Sequence, residues 1–213
     1  MKNSSLKCAV ALVWVAVLLQ LGACVAVPAL MVGGGVGMGT MLATDRRTPG
    51  AVIEDRGIET KAAFRISEAL GDAVHVNVSS YNRLALITGE VPDEKRKAQI
   101  EKIILGVENV QRTVNEVAIM ENASTTARLQ DGILTSRIRA ALIDEKDLIA
   151  NAFKVTTERG VVYIQGRATA REIALMTEIV SSLSGVTRLV RMVDVLTEED
   201  LSGMLPAPPV LPN

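Results

Sequence analysis

Two stretches of the chain repeat one order of hydrophobic and polar positions. Ile58, Ala62, Ala63 and Ile66 recur at the spacing of a helix with one apolar face, and Leu134, Ile138, Ala141 and Leu142 do the same further on. Alternation follows each helix, Val76-Asn77-Val78 in one copy and Phe153-Lys154-Val155 in the other. Turn formers come next, Tyr81-Asn82-Arg83 and Glu158-Arg159-Gly160, and then a second strand that closes on glycine, Leu84 to Gly89 or Val161 to Gly166. From Val76 through Gly89 the offset to the second copy is a constant 77 residues. A helix start follows each glycine: Pro92-Asp93-Glu94 suits the orphan amides of a first turn, and Thr169 caps its counterpart. These helices carry Ile100, Ile103 and Ile104, or Ile173, Met176, Ile179 and Val180. They run to Gly106-Val107 and Gly185-Val186, where glycine suits a left-handed cap. Closing strands are expected over Val110 to Ile119 and Leu189 to Leu196. The expected class is α+β: two tandem α-β-β-α-β units, each a small mixed sheet covered by two helices, with Gly89, Gly106, Gly166 and Gly185 at turns or caps.

Ahead of the repeats the pattern is different. Lys2 and Lys7 precede an unbroken apolar run, Ala9 to Leu19, too short to span a bilayer and of the length of a secretory signal. Leu21-Gly22-Ala23-Cys24 then places small residues and a leucine before a cysteine, which resembles the bacterial lipobox. That resemblance implies cleavage before Cys24, with diacylglycerol on its sulfur and an N-acyl chain on its amine. Val25 rather than aspartate follows, which by the sorting rule for such lipoproteins points to the outer membrane. Residues 25–43 are apolar and small. Gly33/Gly37 and Gly35/Gly39 have the spacing of contacting membrane helices, while Pro28 and the density of glycine favour a flexible linker.

Composition narrows the function. The 213 residues fit one or two small domains, and 48% apolar content is enough for a core. Aromatic side chains number five (Trp14, Phe64, Tyr81, Phe153, Tyr163), too few for base-stacking platforms. Removing residues 1–23 takes Lys2 and Lys7, leaving 21 basic against 24 acidic side chains, so nothing here attracts nucleic acid. Cys8 leaves with the signal and Cys24 is lipidated, so no disulfide is expected, nor any other cofactor or metal. The single histidine, His75, abuts a strand without a partner motif and reads as a partly exposed edge residue. No G-x-S-x-G, Walker A, H-E-x-x-H or C-x-x-C occurs. The chain is expected not to be an enzyme.

The strand-turn-strand ending in glycine, the second helix ending Gly-Val, and closing strands carrying Val114-Asn115 or Val193-Asp194 resemble the BON domain. A pair of them behind a lipobox resembles the dual-BON outer-membrane lipoproteins of the DolP type. Thr44-Asp45-Arg46-Arg47-Thr48 ahead of Glu54-Asp55 looks like that group's join between linker and first domain. The soluble OsmY-like relatives lack the lipobox. The expected organisation is signal 1–23, lipidated linker 24–53, first domain 54–120, connector 121–130, second domain 131–197 and proline-rich tail 198–213. The tail reads as an extended polyproline-like end.

The resemblance implies association with phospholipid or with envelope proteins, in support of envelope integrity, with the domains facing the periplasm. If Leu134, Ile138, Ala141 and Leu142 face the core, then Ile133, Ser136, Arg137 and Ala140 form another face of that helix, flanked by Arg139. An exposed isoleucine with arginine one turn on suits an anionic headgroup. The matching helix of the first copy mixes Lys61 and Arg65 with Glu59 and Glu68, which dilutes its basic face, so lipid contact is expected in the second domain. The rival expectation is an adaptor for envelope or outer-membrane assembly proteins. Its lipid would serve only as tether, and strand edges such as Val110 to Ile119 would accept a partner strand. Oligomeric state is not readable from the sequence.

Overall fold

The computed structural model describes residues 45–204. The signal, Cys24, the glycine-rich stretch and the end from Leu205 lie outside the described residues.

Thr48 opens α1 (Pro49–Leu70): its hydroxyl accepts from the Ala51 amide at 3.2 Å, and Pro49 takes the first helical position, where no amide is needed. Ile58, Ala62 and Ile66 are buried along one side, whereas Ala63 faces out. β1 (His75–Tyr81) and β2 (Leu84–Val91) pair antiparallel through a two-residue turn, with Asn82 and Arg83 at φ 49° and 63°. That backbone is the hairpin turn whose twist matches its strands. After α2 (Glu94–Leu105), the closing strand is broken into β3 (Arg112–Asn115) and β4 (Ala118–Ile119), both parallel to β2. The expected single strand fails at Glu116-Val117, where the Asn115 side chain accepts the Val117 amide and Val117 turns into the core.

The second unit repeats this order. α3 (Thr125–Asp144) begins inside the polar connector, because the Ser124 hydroxyl accepts from the Ala127 amide and supplies its cap. β5 (Phe153–Glu158) and β6 (Val161–Thr169) form the hairpin, with Arg159 and Gly160 at φ 53° and 70°. α4 (Ala170–Ser182) opens on a capping box of Thr169 and Glu172, and β7 (Arg188–Leu196) lies parallel to β6. A short α5 (Glu198–Met204) then occupies what composition suggested was tail. One aspartate per unit pins each hairpin from its helix. Asp55 accepts the Asn82 and Arg83 amides at 2.7 and 2.8 Å; Asp131 accepts those of Arg159 and Gly160 at 2.7 and 2.9 Å.

Two of the expected glycines are required by geometry. Gly89 sits at φ 116°, where a Cβ would fall 2.0 Å from the His75 carbonyl oxygen, and a Cβ on Gly166 would lie 2.5 Å from that of Ala152. Gly185 has φ 101°, as a left-handed position needs. Gly106 corrects the expectation: it caps α2 in the right-handed region at φ −85°, and the positive φ of that loop falls on Asn109.

Each sheet buries one face under its own helices. Ile58, Ala62, Ala85, Ile87, Ile100 and Ile104 make the first core; Leu134, Ile138, Val155, Val162, Ile164 and Met176 make the second. The other two faces meet each other, giving four layers in the order helices, sheet, sheet, helices. This seam is polar. The Gln165 amide donates to the Leu84 carbonyl at 3.0 Å and its oxygen accepts from Ser79 at 3.0 Å. Tyr163 donates to Glu116 and Arg188 pairs with Glu116, while Arg112 and Asn82 reach Asp194. Both central strands are therefore covered on two sides, and β2 has no residue open to solvent.

The stretch just before α1 crosses the seam as a strap. Arg46 is 8% exposed and holds Glu172 by two hydrogen bonds of 2.7 Å, one to each carboxylate oxygen, while Arg46 and Arg167 exchange guanidinium-to-carbonyl bonds. Arg47 turns the other way, to Asp45, to Asp55 and over the Tyr81 ring at 4.3 Å. One arginine thus grips the second domain and its neighbour the first. Removing Arg46 leaves Glu172 buried without its cation, the costly way to break a buried pair. Arg46→Ala is expected to cost about 3 kcal/mol and lower the melting midpoint of the full chain by roughly 10 °C in thermal circular dichroism. An unchanged midpoint would mean that the strap holds nothing.

Candidate functional site

α3 packs Leu134, Ile138 and Leu142 inward, and its opposite side is free. On that side Leu129, Ile133 and Ile143 are 64%, 54% and 69% exposed, with Ser136 and Ala140 also exposed between them. The spacing 129, 133, 136, 140, 143 keeps these side chains on one line along the helix, for about 20 Å at 1.5 Å per residue. Arg137 and Arg139 stand about 80° either side of the line at 100° per residue. Each guanidinium donates to a backbone carbonyl, Arg137 to Ser184 at 3.2 Å and Arg139 to Val155 at 3.4 Å. Neither joins an ion pair among the described residues, so both charges face outward unneutralised. Asp144 is exposed at the C-terminal end of the line.

All five residues expected on this face, Ile133, Ser136, Arg137, Arg139 and Ala140, are exposed together. Sequence reasoning missed Leu129 and Ile143, which extend the apolar line by a turn at each end. Leu129 lay in the stretch read as connector, and Ile143 sits beside the buried Leu142, so neither belonged to the pattern used to define the core.

The matching helix α1 exposes Ile53 and Phe64, 72% and 68% open, and Arg56 is exposed outside any ion pair among the described residues, but its other two cations are neutralised. Glu108 pairs with both Lys61 and Arg65, and Glu59 pairs with Lys154 of the second domain. A shallow depression at the start of α1, lined by Thr48, Asn82, Arg83 and Gln111, likewise holds a self-neutralised pair, Arg83 with Glu54.

The seam brings together a second polar group. His75 at the start of β1 faces Glu90 across the hairpin register, with Nδ1 2.8 Å from Oε2. This corrects the reading of His75 as partnerless: the hairpin register brings up a partner fifteen positions on, and no local motif announces it. Arg159 donates to Glu90 Oε1 at 2.6 Å and the Ala123 amide to Oε2 at 3.1 Å. Burial raises the Glu90 carboxyl, but the Ala123 amide, His75 and Arg159 outweigh it and hold it below the ordinary range. Glu158 accepts from Asn77 at 3.2 Å and is pushed above its ordinary value, by burial first and then by the charge of Glu90. The donor atoms of His75, Glu90 and Glu158 lie within 4.8 Å of one another, the one such group among the described residues. That spacing suits a cation, but Arg159 already supplies one there, and both Glu90 oxygens are engaged. Among the described residues no hydroxyl or thiol is hydrogen-bonded to the imidazole.

The BON domain profile matches residues 55–121 and again 130–197. The chain belongs to the BON domain family. Both BON units coincide with the two helix-covered sheets described above. The chain is 29% identical over 166 residues to the outer membrane lipoprotein DolP of Haemophilus influenzae, covering 77% of this chain and 86% of that protein. It is 24% identical over 152 residues to a 21 kDa hemolysin of Actinobacillus pleuropneumoniae, covering 70% and 78%. Among solved structures, the C-terminal domain of CdsD, a structural protein of the type III secretion system of Chlamydia trachomatis, covers 63% of this chain and 96% of its own at a TM-score of 0.29 and 10% identity, too distant to carry an argument. No described helix of this BON protein is long and apolar enough to cross a membrane.

Proposed function

We propose that the chain is an outer-membrane lipoprotein, anchored through acylated Cys24, whose second BON domain binds anionic phospholipid through the outer face of α3 in support of envelope integrity. The observation that carries the reading is the exposed line Leu129–Ile133–Ile143 with an unpaired arginine on each side. Similarity to a lipoprotein named for the outer membrane, and the lipobox at Leu21 to Cys24, support the address.

Magnitudes assign the parts their roles. Three partly inserted aliphatic side chains contribute on the order of 1 kcal/mol each, and each arginine about 1 kcal/mol near an anionic leaflet. A total of about 5 kcal/mol corresponds to a Kd of about 0.2 mM, measurable for the unlipidated chain with vesicles in excess but too weak for lasting anchorage. The acyl chains supply the anchoring and raise the local concentration at which this weak face works. The face then selects lipid and orientation. No enzymatic step is needed.

The adaptor reading has its own support in α1, whose Ile53 and Phe64 are exposed while Glu108 neutralises Lys61 and Arg65, which leaves Arg56 as that helix's one basic side chain outside an ion pair. Strand addition at 110–119 is poorly supported, since only four residues of β3 run continuously before the break.

Ile133→Glu with Arg137→Glu is expected to abolish sedimentation of the unlipidated chain with phosphatidylglycerol vesicles and leave its circular dichroism unchanged; retained binding sinks the lipid reading. The adaptor reading instead expects vesicles alone to leave the amide signals of residues 131–144 in place. Mass measurement of the mature protein is expected to show the acylated amino terminus at Cys24, and an unmodified cysteine there would remove the anchor.

A further inference from the structure

The seam carries an unbalanced charge. Glu90, fully buried, ends its pairing with β1 at His75, and Glu158, 3% exposed, comes from the other domain. Facing them are His75 and Asn77 from β1, Arg159 from the second hairpin and the Ala123 amide from the connector. With the imidazole neutral, two carboxylates stand against one guanidinium. A net charge enclosed between two sheets is costly, and one bound proton removes it.

We propose that closing the seam takes up one proton on the buried carboxylate pair, at Glu158, so that docking of the two BON domains is linked to pH. Glu158 takes it because the neutral Asn77 amide is its donor, whereas both oxygens of the neighbouring Glu90 are already engaged. Separating the domains removes Glu158 from Glu90 and from the first sheet and returns its carboxylate to water. The docked state therefore binds this proton more tightly, and docking weakens as pH rises through the titration of the group. The upward push on Glu158 has this sign: its contribution is present at lower pH and lost as pH rises. Glu90 acts in the opposite sense. Its carboxyl is held down in the docked state, so its contribution is lost as pH falls through and below the ordinary glutamate range. Docking is strongest in the mildly acidic window between these two losses.

The chain carries its own reporters. Tyr81 and Tyr163 are its two tyrosines, both buried, and both hydrogen-bond across the seam, to the Ala152 carbonyl and to Glu116. Hydroxyl-radical labelling of the full chain in detergent micelles, read by mass spectrometry and normalised to the exposed Phe64, measures opening directly. As pH rises above the ordinary glutamate range, labelling of both tyrosines is expected to increase, by up to about tenfold per pH unit, the limit for one proton. Glu158→Gln keeps the shape and removes the charge, so the rise is expected to flatten. Flat labelling across this range overturns the proposal, as does a Glu158→Gln chain that folds and keeps the wild-type slope, or a slope abolished by a chelator, which would assign the charge to a metal ion.

Discussion

A sheet with helices on one side leaves a second face to hide, and in this chain each sheet hides that face against the other. The polar contacts of the seam make this possible. Gln165 satisfies Leu84 and Ser79 across it, and Glu90, fully buried, is satisfied by a histidine, an arginine and an amide drawn from three segments. Buried polar groups cost little when every one is paired and a great deal when one is not. An apolar seam would stick in any register; this one closes in the register that satisfies Gln165 and Glu90. The helices on the far sides are consequently fixed relative to each other, and the exposed line on α3 has a defined direction.

The strap adds a mechanical consequence. Arg46 and Arg47 immediately follow the stretch that leads back to Cys24, and they grip opposite domains. A pull along the linker is delivered where the domains meet rather than to the first domain alone. Under the proposed function, this gives the acyl anchor a rigid body to present to the bilayer, where a patch worth only a few kcal/mol needs orientation more than strength.

Much of the fold was legible in the residues, because the apolar spacing of Ile58, Ala62 and Ile66 and the strand–turn–strand ending at Gly89 are local signals. The misses were all non-local or set by capping. Ser124 and Thr197 start helices where composition suggested connector and tail, since one hydroxyl outweighs a polar stretch. The Asn115 side chain breaks a strand that hydrophobicity alone keeps whole. The seam did leave a trace: Leu84-Ala85-Leu86-Ile87 and Val161-Val162-Tyr163-Ile164 are continuous rather than alternating, the mark of strands covered on both faces. What covered them was beyond reach, because Glu90 meets Arg159 across 69 residues. Of the candidate face, the five central residues followed from the helix period, while Leu129 and Ile143 required the true ends of the helix.

The central claim is that the polar seam holds the two BON domains as one body. Spin labels at Phe64→Cys on α1 and Ile143→Cys on α3, exposed and on opposite outer layers, test it in the full chain with Cys8 and Cys24 replaced by serine. Pulsed electron paramagnetic resonance is expected to give one narrow distance distribution at mildly acidic pH. A broad or multimodal distribution under those conditions would contradict the account.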